Sequence, residues 1–334
     1  MTMTTYDSSA DLAQIADRIR SAERIAVTTH VKPDGDAVGS TLALARAIEH
    51  LGKTALVWYS GPLMDVFKSV IEQTTVHVVS EMHQPPDDVD LILITDTGAR
   101  SQLKDLADWL SRHAGKIAII DHHIQGDADL SDCRVVEPKA AAAAEIVADL
   151  IELLAVPLSR SIAEPLYLGI ATDTGWFRFS NTTSKTLRLA AKLIDAGVDH
   201  ADLFRRIEQT DPPGRLRLLA RALTSLEIVG RGRAAVLTLR QADYQASDAT
   251  SDDTHGFSDL PLAVESIEVA CVIAETRSGH VKLSLRSKPG PNAVDVNQVA
   301  RLFGGGGHAR ASGAKIDRPI DEVRPKVVEA LSRV

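Results

Sequence analysis

The sequence predicts an α/β protein whose first domain is built on a parallel sheet. In the N-terminal half, short apolar runs alternate with helix-length segments, which is the pattern of strands that are each followed by a helix packed on the sheet. Acidic residues and histidines directly follow several of these runs. Beyond Gly230 strand-like segments become frequent again. These observations predict a second, smaller α/β domain at the C-terminal end.

The individual elements are predicted from apolar runs and their periodicity. An opening helix over 11–22 precedes a first strand at 24–29, and the helix that follows it is predicted from Gly39 to Leu51. Further strands are predicted at 55–59, 76–79, 91–95, 117–120, 234–239, 267–275 and 281–286, and further helices at 145–154, 161–171, 184–196, 216–227 and 295–303. The Pro-Pro-Gly turn at 212–214 marks a hinge between the two halves.

Length and composition set the class of the protein. With 334 residues, the chain is long enough for about two domains that each bury a core. No apolar run reaches the length of a membrane span and the N-terminus is polar, so we expect a cytoplasmic protein without membrane contact. Cys133 and Cys271 are the only cysteines, which argues against a disulfide framework or a thiolate metal site.

Charge is distributed unevenly along the chain. Of the 37 Lys and Arg and 45 Asp and Glu, 14 and 13 respectively lie from Arg231 onward, which leaves 23 and 32 in the first 230 residues. Between 277 and 318 the balance reverses, with eight basic residues against two acidic ones. An acidic half that can hold cations and a locally basic segment predict a small anionic substrate. A long nucleic acid is not expected, because it would require a broader basic surface.

The sequence HVKPDGDAVGS at 30–40 carries the first candidate metal ligands. It follows the apolar run from Ile25 to Thr29 and is expected to form a loop at the end of a strand. His30, Asp34 and Asp36 lie within seven residues of one another. Two carboxylates this close repel each other unless a cation lies between them. The alternative for this motif alone is an ordinary polar turn.

Three more segments supply ligand-type residues where an apolar segment ends. Asp96 follows the strand at 91–95, Asp121-His122-His123 follows that at 117–120, and Asp173 follows an apolar helix-like segment. Taken singly, each acid is as readily explained as a helix cap and each histidine as a surface residue. Together they predict that six side chains converge at one edge of the sheet: His30, Asp34, Asp36, Asp96, His122 and Asp173.

The chemistry of this set favours two divalent metal ions. Oxygen and imidazole ligands without sulfur favour Mn²⁺, with Mg²⁺ as the alternative, over a structural zinc site. A pair of such ions about 3.5–4 Å apart is a standard arrangement for displacement at phosphorus, where it activates a water to hydroxide. Hydrolysis of a phosphoester is the expected reaction.

Four motifs, taken in order, resemble the DHH phosphoesterase superfamily. They are HVKPDGDA at 30–37, DTG at 96–98, DHH at 121–123 and TDTG at 172–175, and GGGGHARASG at 304–313 is similar to the signature of the C-terminal domain associated with that family. Within the superfamily the chain looks most like the NrnA-type enzymes. The resemblance implies a Rossmann-like DHH domain over 1–200, a helical linker over 201–230 and a DHH-associated domain over 231–334, with the active site in the cleft between the domains.

The resemblance also implies roles for individual residues. His30, Asp34 and Asp96 would bind one ion, while Asp36, His122 and Asp173 would bind the other together with Asp96, which bridges the two. His123 would be catalytic and face the scissile phosphate or the leaving oxygen. Asp121 would orient a histidine so that its other nitrogen meets the metal.

In the C-terminal domain, the glycine-rich segment is expected to bind a substrate phosphate. Backbone N–H groups of glycines can approach an anion closely because no Cβ intervenes. The predicted substrate-binding residues are Arg286, Gly305, Gly306, Gly307, His308, Arg310 and Ser312. The alternative is a flexible glycine turn with surface cations.

Three segments near the motifs bear on the resemblance. Relatives usually carry Ser and Thr where this chain has Ala141 to Ala144, so we expect that segment to add no polar group to the site. Arg100 lies about two residues earlier than the arginine of relatives, which argues against a substrate role. Trp176, Phe177 and Phe179 are expected to be core aromatics, not platforms for stacking bases.

The predicted function is hydrolysis of very short oligoribonucleotides, linear dinucleotides such as pApA, and 3'-phosphoadenosine 5'-phosphate (pAp). Cyclic dinucleotides are a further candidate substrate. The rivals are a manganese-dependent inorganic pyrophosphatase, a RecJ-like single-strand exonuclease and a non-catalytic dinucleotide sensor. A sensor is disfavoured because all six ligands are present. The sequence leaves open whether the chain forms a homodimer.

Overall fold

The computed structural model describes residues 5–80, 82–276, 279–290 and 293–333. The chain forms two compact units, the first ending at Thr210 and the second beginning at Asp211. Each unit contains a six-stranded sheet. Within the described ranges, no helix is both long enough and apolar enough to cross a membrane.

The first unit alternates strands and helices. Its described strands are β1 (Arg24–Thr28), β2 (Thr54–Tyr59), β3 (Val76–Val78), β4 (Leu91–Thr95), β5 (Ile117–Asp121) and β6 (Arg134–Val136). Its described helices are α1 (Leu12–Ser21), α2 (Gly35–His50), α3 (Lys68–Ile71), α4 (Ala107–Arg112), α5 (Ala143–Leu153), α6 (Arg160–Asp173), α7 (Ser184–Asp195) and α8 (His200–Glu208). Short 3-10 helices cover 65–67, 100–102, 104–106 and 114–116.

The sheet of the first unit is parallel throughout, in the order β3-β2-β1-β4-β5-β6. Every residue of β4 and of β5 is buried, because helices cover both faces of such a sheet. The strand order changes direction between β1 and β4, and ligands of open α/β sheets bind beyond the carboxyl ends of the strands at such a switch point. The predicted Rossmann-like parallel sheet is confirmed.

Helix α2 begins four residues earlier than the sequence predicts. Asp34 is its N-cap, since Asp34 Oδ1 accepts hydrogen bonds from the backbone N–H groups of Asp36 and Ala37, both at 3.1 Å. The predicted start at Gly39 is therefore wrong. Asp36 lies in the first turn of α2, not in a loop, and the helix is buried from Gly35 to Ile48.

The second unit is a smaller α/β unit built on a mixed sheet in the order β11-β12-β10-β9-β8-β7. Among its described pairings, β8 and β9 are parallel and the other four are antiparallel. Its strands are β7 (Glu227–Val229), β8 (Ala234–Leu239), β9 (Val269–Glu275), β10 (Val281–Ser287), β11 (Gly306–His308) and β12 (Ala311–Ile316), and its helices are α9 (Pro213–Thr224), α10 (Gln241–Ser247), α11 (Val296–Arg301) and α12 (Ile320–Ser332). Short 3-10 helices cover 230–232, 251–254 and 260–263. The prediction of a second α/β domain is confirmed.

Candidate metal centre

Three neighbouring strands of the first sheet end in ligand-type side chains. His30 follows β1 by two residues, Asp96 directly follows β4, and His122 directly follows β5. Strands β1, β4 and β5 are adjacent and parallel, so their carboxyl ends lie at the same edge. The backbone N–H of Asp96 donates to the carbonyl of Ile120 at 2.9 Å, which ties the two strand ends together.

Two helix termini bring the remaining carboxylates to this edge. Asp34 and Asp36 lie at the N-terminus of α2, and Asp173 is the last residue of α6. Asp36 Oδ2 and Asp173 Oδ2 lie 3.8 Å and 3.6 Å from His122 Nε2. The six residues predicted as metal ligands therefore lie together in the structure.

Asp96 stands between the two histidines of the cluster. Its Oδ2 lies 3.3 Å from His30 Nε2, and its Oδ1 lies 3.3 Å from His122 Nε2. The side chain is 3% exposed, and its backbone adopts φ +61°, in the left-handed region that Asp tolerates better than most residues. One buried carboxylate thus presents a separate oxygen to each histidine.

The ligand-type atoms form two groups that have no residue in common. In each group, one nitrogen or oxygen atom per residue lies within 4.8 Å of the others. The first group is His30, Asp34 and Asp96, and the second is Asp36, His122 and Asp173. A further combination of Asp96, His122 and His123 meets the same criterion. Carboxylate oxygens and imidazole nitrogens at this spacing fit divalent cations such as Mn²⁺ or Mg²⁺.

The backbone orients both ligand-type histidines in the same way. His30 Nδ1 lies 2.9 Å from the carbonyl oxygen of Val31, and His122 Nδ1 lies 3.4 Å from that of Ala140. In each ring Nε2 therefore faces the carboxylates. A ring nitrogen anchored to a carbonyl commonly fixes the tautomer of a metal-binding histidine.

Burial and mutual interactions shift the pKa values of the cluster. Burial alone lowers the pKa of each histidine, but the interaction with Asp96 outweighs it and raises the pKa of His30 to about 9. For His122, the interactions with Asp96 and Asp36 outweigh burial and raise the pKa to about 10. Burial raises the pKa of Asp173 to about 6, although the charge of His122 opposes this change.

Asp36 and Asp96 are the most buried carboxylates among the six predicted ligands, and their pKa values shift in opposite directions. Burial, together with the charges of Asp96 and Asp173, raises the pKa of Asp36 well above its usual value. Burial also acts to raise the pKa of Asp96, but the interactions with His122 and His30 hold it below its usual value. The cluster therefore carries protons at neutral pH that a cation would displace.

The N-terminus of α5 contributes backbone donors to the cluster. The N–H groups of Ala143 and Ala144 donate to the two carboxylate oxygens of Asp36 at 2.6 Å and 2.9 Å. The expectation that this alanine segment adds no polar group is wrong, because its backbone N–H groups supply hydrogen-bond donors that alanine side chains cannot. Sequence reasoning missed these donors, since an alanine run carries no local signal of a polar contact.

His123 is held by the first residue of its own motif. His123 Nδ1 lies 2.8 Å from Asp121 Oδ1, and its side chain is 53% exposed. The hydrogen bond to Asp121 raises the pKa of His123. Nδ1 is thus occupied, while Nε2, on the other side of the ring, remains for a ligand. Asp121 therefore orients His123, and His122 is oriented by a backbone carbonyl.

In the second unit, the glycine-rich segment forms part of a β-hairpin with His308 paired to Ala311. The N–H of Gly305 caps α11 by donating to the carbonyl of Ala300 at 3.0 Å, so it is not free for an anion. Gly306, His308 and Arg310 are exposed. The N–H of Gly305 is therefore used within the second unit, whereas Gly306 and Gly307 belong to the exposed strand β11.

The remaining predicted substrate-binding side chains have partners within the second unit. Arg286 Nε lies 3.5 Å from Asp259 Oδ1. Arg310 donates to the carbonyl of Val294 at 2.8 Å, and the buried Ser312 hydroxyl donates to the carbonyl of His308 at 2.7 Å. Arg286 and Arg310 therefore make structural contacts in this state, and Ser312 stabilises the hairpin.

The other residues discussed from sequence, which are Arg100 and the aromatic residues after Asp173, have contacts within the first unit. Arg100 pairs with Asp129 at 3.2 Å, and the expectation that it has no substrate role stays a prediction. Trp176 and Phe177 pack against the core as predicted. Phe179 is 56% exposed, so its assignment to the core is wrong. Its ring covers Gly175, where a Cβ would come within 2.4 Å of Phe179 Cζ.

Comparisons with known proteins define the class to which this fold and cluster belong. The model of the DHH family N-terminal domain matches residues 24–170, and that of the DHHA1 domain matches residues 232–334. The "Bifunctional oligoribonuclease and PAP phosphatase NrnA" of Thermus thermophilus is 34% identical over 319 residues, which cover 95% of this chain and 92% of the relative. The chain belongs to the DHH family, and the resemblance seen in its motifs is confirmed.

Two further relatives match the chain over nearly its whole length. The "Probable bifunctional oligoribonuclease and PAP phosphatase NrnA" of Streptococcus mutans is 30% identical over 90% of this chain and 92% of its own. The crystal structure of an exopolyphosphatase-related protein from Bacteroides fragilis superposes with a TM-score of 0.87 at 25% identity, covering 99% of this chain and 98% of that one. Both units of the fold therefore have counterparts in these relatives.

Proposed function

We propose that this protein is a metal-dependent phosphoesterase that hydrolyses short oligoribonucleotides, linear dinucleotides such as pApA, and the 3'-phosphate of pAp. The observation that carries the proposal is the position of Asp96, whose two oxygens face His30 and His122 in two separate ligand groups. The substrate class is supported by the names of the relatives from Thermus thermophilus and Streptococcus mutans.

The proposal includes two divalent cations. One would be held by His30, Asp34 and Asp96, and the other by Asp36, His122 and Asp173 with the second oxygen of Asp96. Ligands without sulfur favour Mn²⁺, with Mg²⁺ as the alternative. When bound, such cations supply charge neutralisation at the phosphoryl oxygens and an activated water nucleophile.

The protein's own residues would orient the reaction and move one proton. Asp121 fixes the ring of His123 through Nδ1, so that Nε2 can donate a proton to the oxygen that leaves phosphorus. The bond from the water oxygen to phosphorus forms, the ester bond to the leaving oxygen breaks, and the proton of the water passes to solvent. A general acid in this position contributes typically 10²–10⁴-fold to the rate.

The second unit would bind a substrate phosphate. Gly306, Gly307 and His308 form an exposed strand in a part of the chain where basic residues exceed acidic ones. Arg286 and Arg310 would have to exchange their present contacts with Asp259 and Val294 for the phosphate.

The three rival functions are less well supported. The two NrnA relatives match this chain across more than nine-tenths of their own length and are named for oligoribonuclease and phosphatase activity, not for pyrophosphatase or long-strand exonuclease activity. A nucleotide sensor would not require the complete set of ligand-type residues that the structure brings together.

A substrate panel tests the proposal. The purified protein is incubated with Mn²⁺ or Mg²⁺ and pAp, RNAs of two to seven nucleotides, pyrophosphate and cyclic di-AMP, and turnover is compared with that of Asp96→Asn as a control. We expect the highest kcat/KM for pAp or the shortest RNAs, and no turnover by the variant. Pyrophosphate as the best substrate would overturn the assignment, and binding without hydrolysis of any compound would favour the sensor.

Location and assembly remain part of the proposal. The proposed location is the cytoplasm, and cell fractionation followed by immunodetection would test it. The sequence leaves open whether the chain forms a homodimer. Light scattering of the purified chain at several concentrations and in different buffers tests this, since a specific dimer gives twice the monomer mass in each buffer.

A further inference from the structure

The segment before α1 is fastened to the edge strand β6. The hydroxyl of Ser8 donates to the carbonyl of Val136 at 3.0 Å and accepts from the N–H of the same residue at 2.8 Å. The N–H of Ser9 donates to the carbonyl of Arg134 at 2.9 Å. These bonds fix the position of the N-terminal segment. They place Tyr6 beside Asp121, the first residue of the DHH motif.

Tyr6 is buried in a space that two glycines provide. Its side chain is 8% exposed. A Cβ at Gly98 would come within 1.7 Å of the Tyr6 hydroxyl oxygen, and a Cβ at Gly126 would come within 2.5 Å of Tyr6 Cζ. Both glycines lie in loops that follow strands of the metal centre, β4 and β5. Any larger residue at either position would displace the ring.

The hydroxyl of Tyr6 donates to Asp121 Oδ2 at 2.8 Å, across 115 positions of the chain. The other oxygen of Asp121 accepts from the N–H groups of His122 and His123 at 2.8 Å and 3.1 Å, and lies 2.8 Å from His123 Nδ1. Asp121 itself is completely buried. Tyr6 therefore binds Asp121 Oδ2, while Asp121 Oδ1 binds His122 and His123.

We propose that Tyr6 is a positioning residue, which fixes Asp121 so that Asp121 in turn holds the ring of His123 with Nε2 available to the substrate. Without the hydroxyl, Asp121 Oδ2 would be buried and unpaired, and such a group pulls its side chain toward a new partner or toward water. His123 would then lose the orientation of its ring. The reaction at stake is the phosphoester hydrolysis proposed above, so this inference rests on that function.

Two variants remove the interaction by different routes. Tyr6→Phe keeps the ring that fills the space beside Gly98 and Gly126 and removes only the donor. Gly98→Ala keeps the hydroxyl but pushes the ring away from Asp121. The control is Ser8→Ala, which removes two hydrogen bonds of the same segment but leaves the Tyr6 hydroxyl and the backbone bonds of Ser9 and Ala10 to the carbonyl of Arg134. Because these bonds keep Tyr6 beside Asp121, the variant reports any purely structural effect of loosening the N-terminus.

The first readout is steady-state hydrolysis of pApA. In Tyr6→Phe and Gly98→Ala, kcat is expected to fall by about 10- to 100-fold, the usual effect of losing a partner of this kind, with KM unchanged because Tyr6 does not contact substrate. Ser8→Ala should retain the kcat of the parent protein. An unchanged kcat in Tyr6→Phe, or a rise in KM instead of a fall in kcat, would overturn the proposal.

The second readout does not depend on activity. The ring of His123 is followed by ¹⁵N NMR of histidine-labelled, Mg²⁺-loaded protein, with His123→Gln to assign its signals. The protonated Nδ1 signal should be present in the parent and in Ser8→Ala, and shifted or lost in Tyr6→Phe and Gly98→Ala. A parent-like His123 signal in both variants would exclude the inferred chain of contacts even if kcat falls. If the parent hydrolyses nothing, the proposed function fails, and the NMR result still decides the role of Tyr6.

Discussion

Gly39 of α2 and Gly169 of α6 touch backbone to backbone. A Cβ on Gly39 would come within 2.8 Å of the backbone nitrogen of Gly169, and a Cβ on Gly169 would come within 2.8 Å of Asp36 Oδ1. Because no side chain separates the helices at this crossing, the start of α2 lies beside the end of α6. Asp36 and Asp173, which belong to those two ends, can therefore reach the same histidine.

Gly39→Ala should weaken metal binding and stability together. The added Cβ would come within 2.3 Å of the carbonyl oxygen of Pro165, which belongs to the backbone and cannot rotate away. We expect a loss of about 1–3 kcal/mol in the free energy of unfolding, as for overpacked cores. Since α2 must shift relative to α6, Mn²⁺ affinity measured by calorimetry should also fall.

Gly115→Ala is the matched control for that variant. Gly115 is exposed, its φ is not in the left-handed region, and a Cβ there would meet nothing within 4 Å. Its unfolding free energy should stay within about 0.5 kcal/mol of the parent. Equal effects of the two substitutions on Mn²⁺ affinity would contradict the importance of the contact between Gly39 and Gly169.

Asp96→Asn should weaken both of the proposed cation sites, whereas Asp34→Asn should weaken one. Asparagine preserves the volume of Asp96 and tolerates its φ of +61°, and it also preserves the helix cap that Asp34 forms. Only charge is removed in each case. Calorimetric titration with Mn²⁺ should show two weakened sites in Asp96→Asn and one intact site in Asp34→Asn, with hydrolysis lost in the former and circular dichroism unchanged in both. Identical titrations for the two variants would show that Asp96 is not shared.

Binding of a divalent cation should release protons at pH 7. The pKa values of about 9 for His30 and 10 for His122 mean that both rings are protonated when no cation is bound. These raised values stabilise the cation-free fold below the ordinary histidine pKa, and that contribution disappears as pH rises through 9 to 10. Cation affinity should rise over the same interval, because fewer protons must be displaced.

The proton count follows from calorimetry in two buffers of different ionisation enthalpy. At least about two protons, one from each histidine ring, should be released per protein when both proposed sites fill at pH 7. His30→Gln should reduce this number by about one. Release of none, at any pH between 6 and 8, would contradict the protonation of these two rings in the cation-free protein or their contact with the cation.

Some site residues could be predicted from sequence because a buried parallel strand is an apolar run whose end is marked by the first polar residue. This local rule found His30, Asp96 and His122, which follow β1, β4 and β5. It misplaces the start of α2, since Gly35 and Gly39 are typical of turns. Their small size instead serves contacts with α6, far away in sequence.

Other features of the molecule had no local signal in the sequence. Tyr6 lies in a polar N-terminal segment, and its partner is 115 positions away. Strands β11 and β12 escaped detection because the segment that contains them is rich in glycine and poor in the β-branched residues that mark strands. Their pairing depends on the neighbouring strand β10, which the alternation of residues 281–286 did predict.

Gly306→Ala tests the proposed phosphate site of the second unit. The nearest atom to a Cβ at Gly306 would be Asn297 Oδ1, at 3.8 Å, and its φ is not in the left-handed region, so the fold should accept alanine with little change in unfolding free energy. A phosphate resting on this exposed backbone would be pushed outward by the new methyl group. KM for pApA should therefore rise by about 10-fold, equivalent to about 1.4 kcal/mol of binding, while kcat changes little because the metal centre is untouched. A parent-like KM in a folded Gly306→Ala protein would remove the backbone of Gly306 from the substrate site and leave phosphate recognition to the side chains of His308 and Arg310.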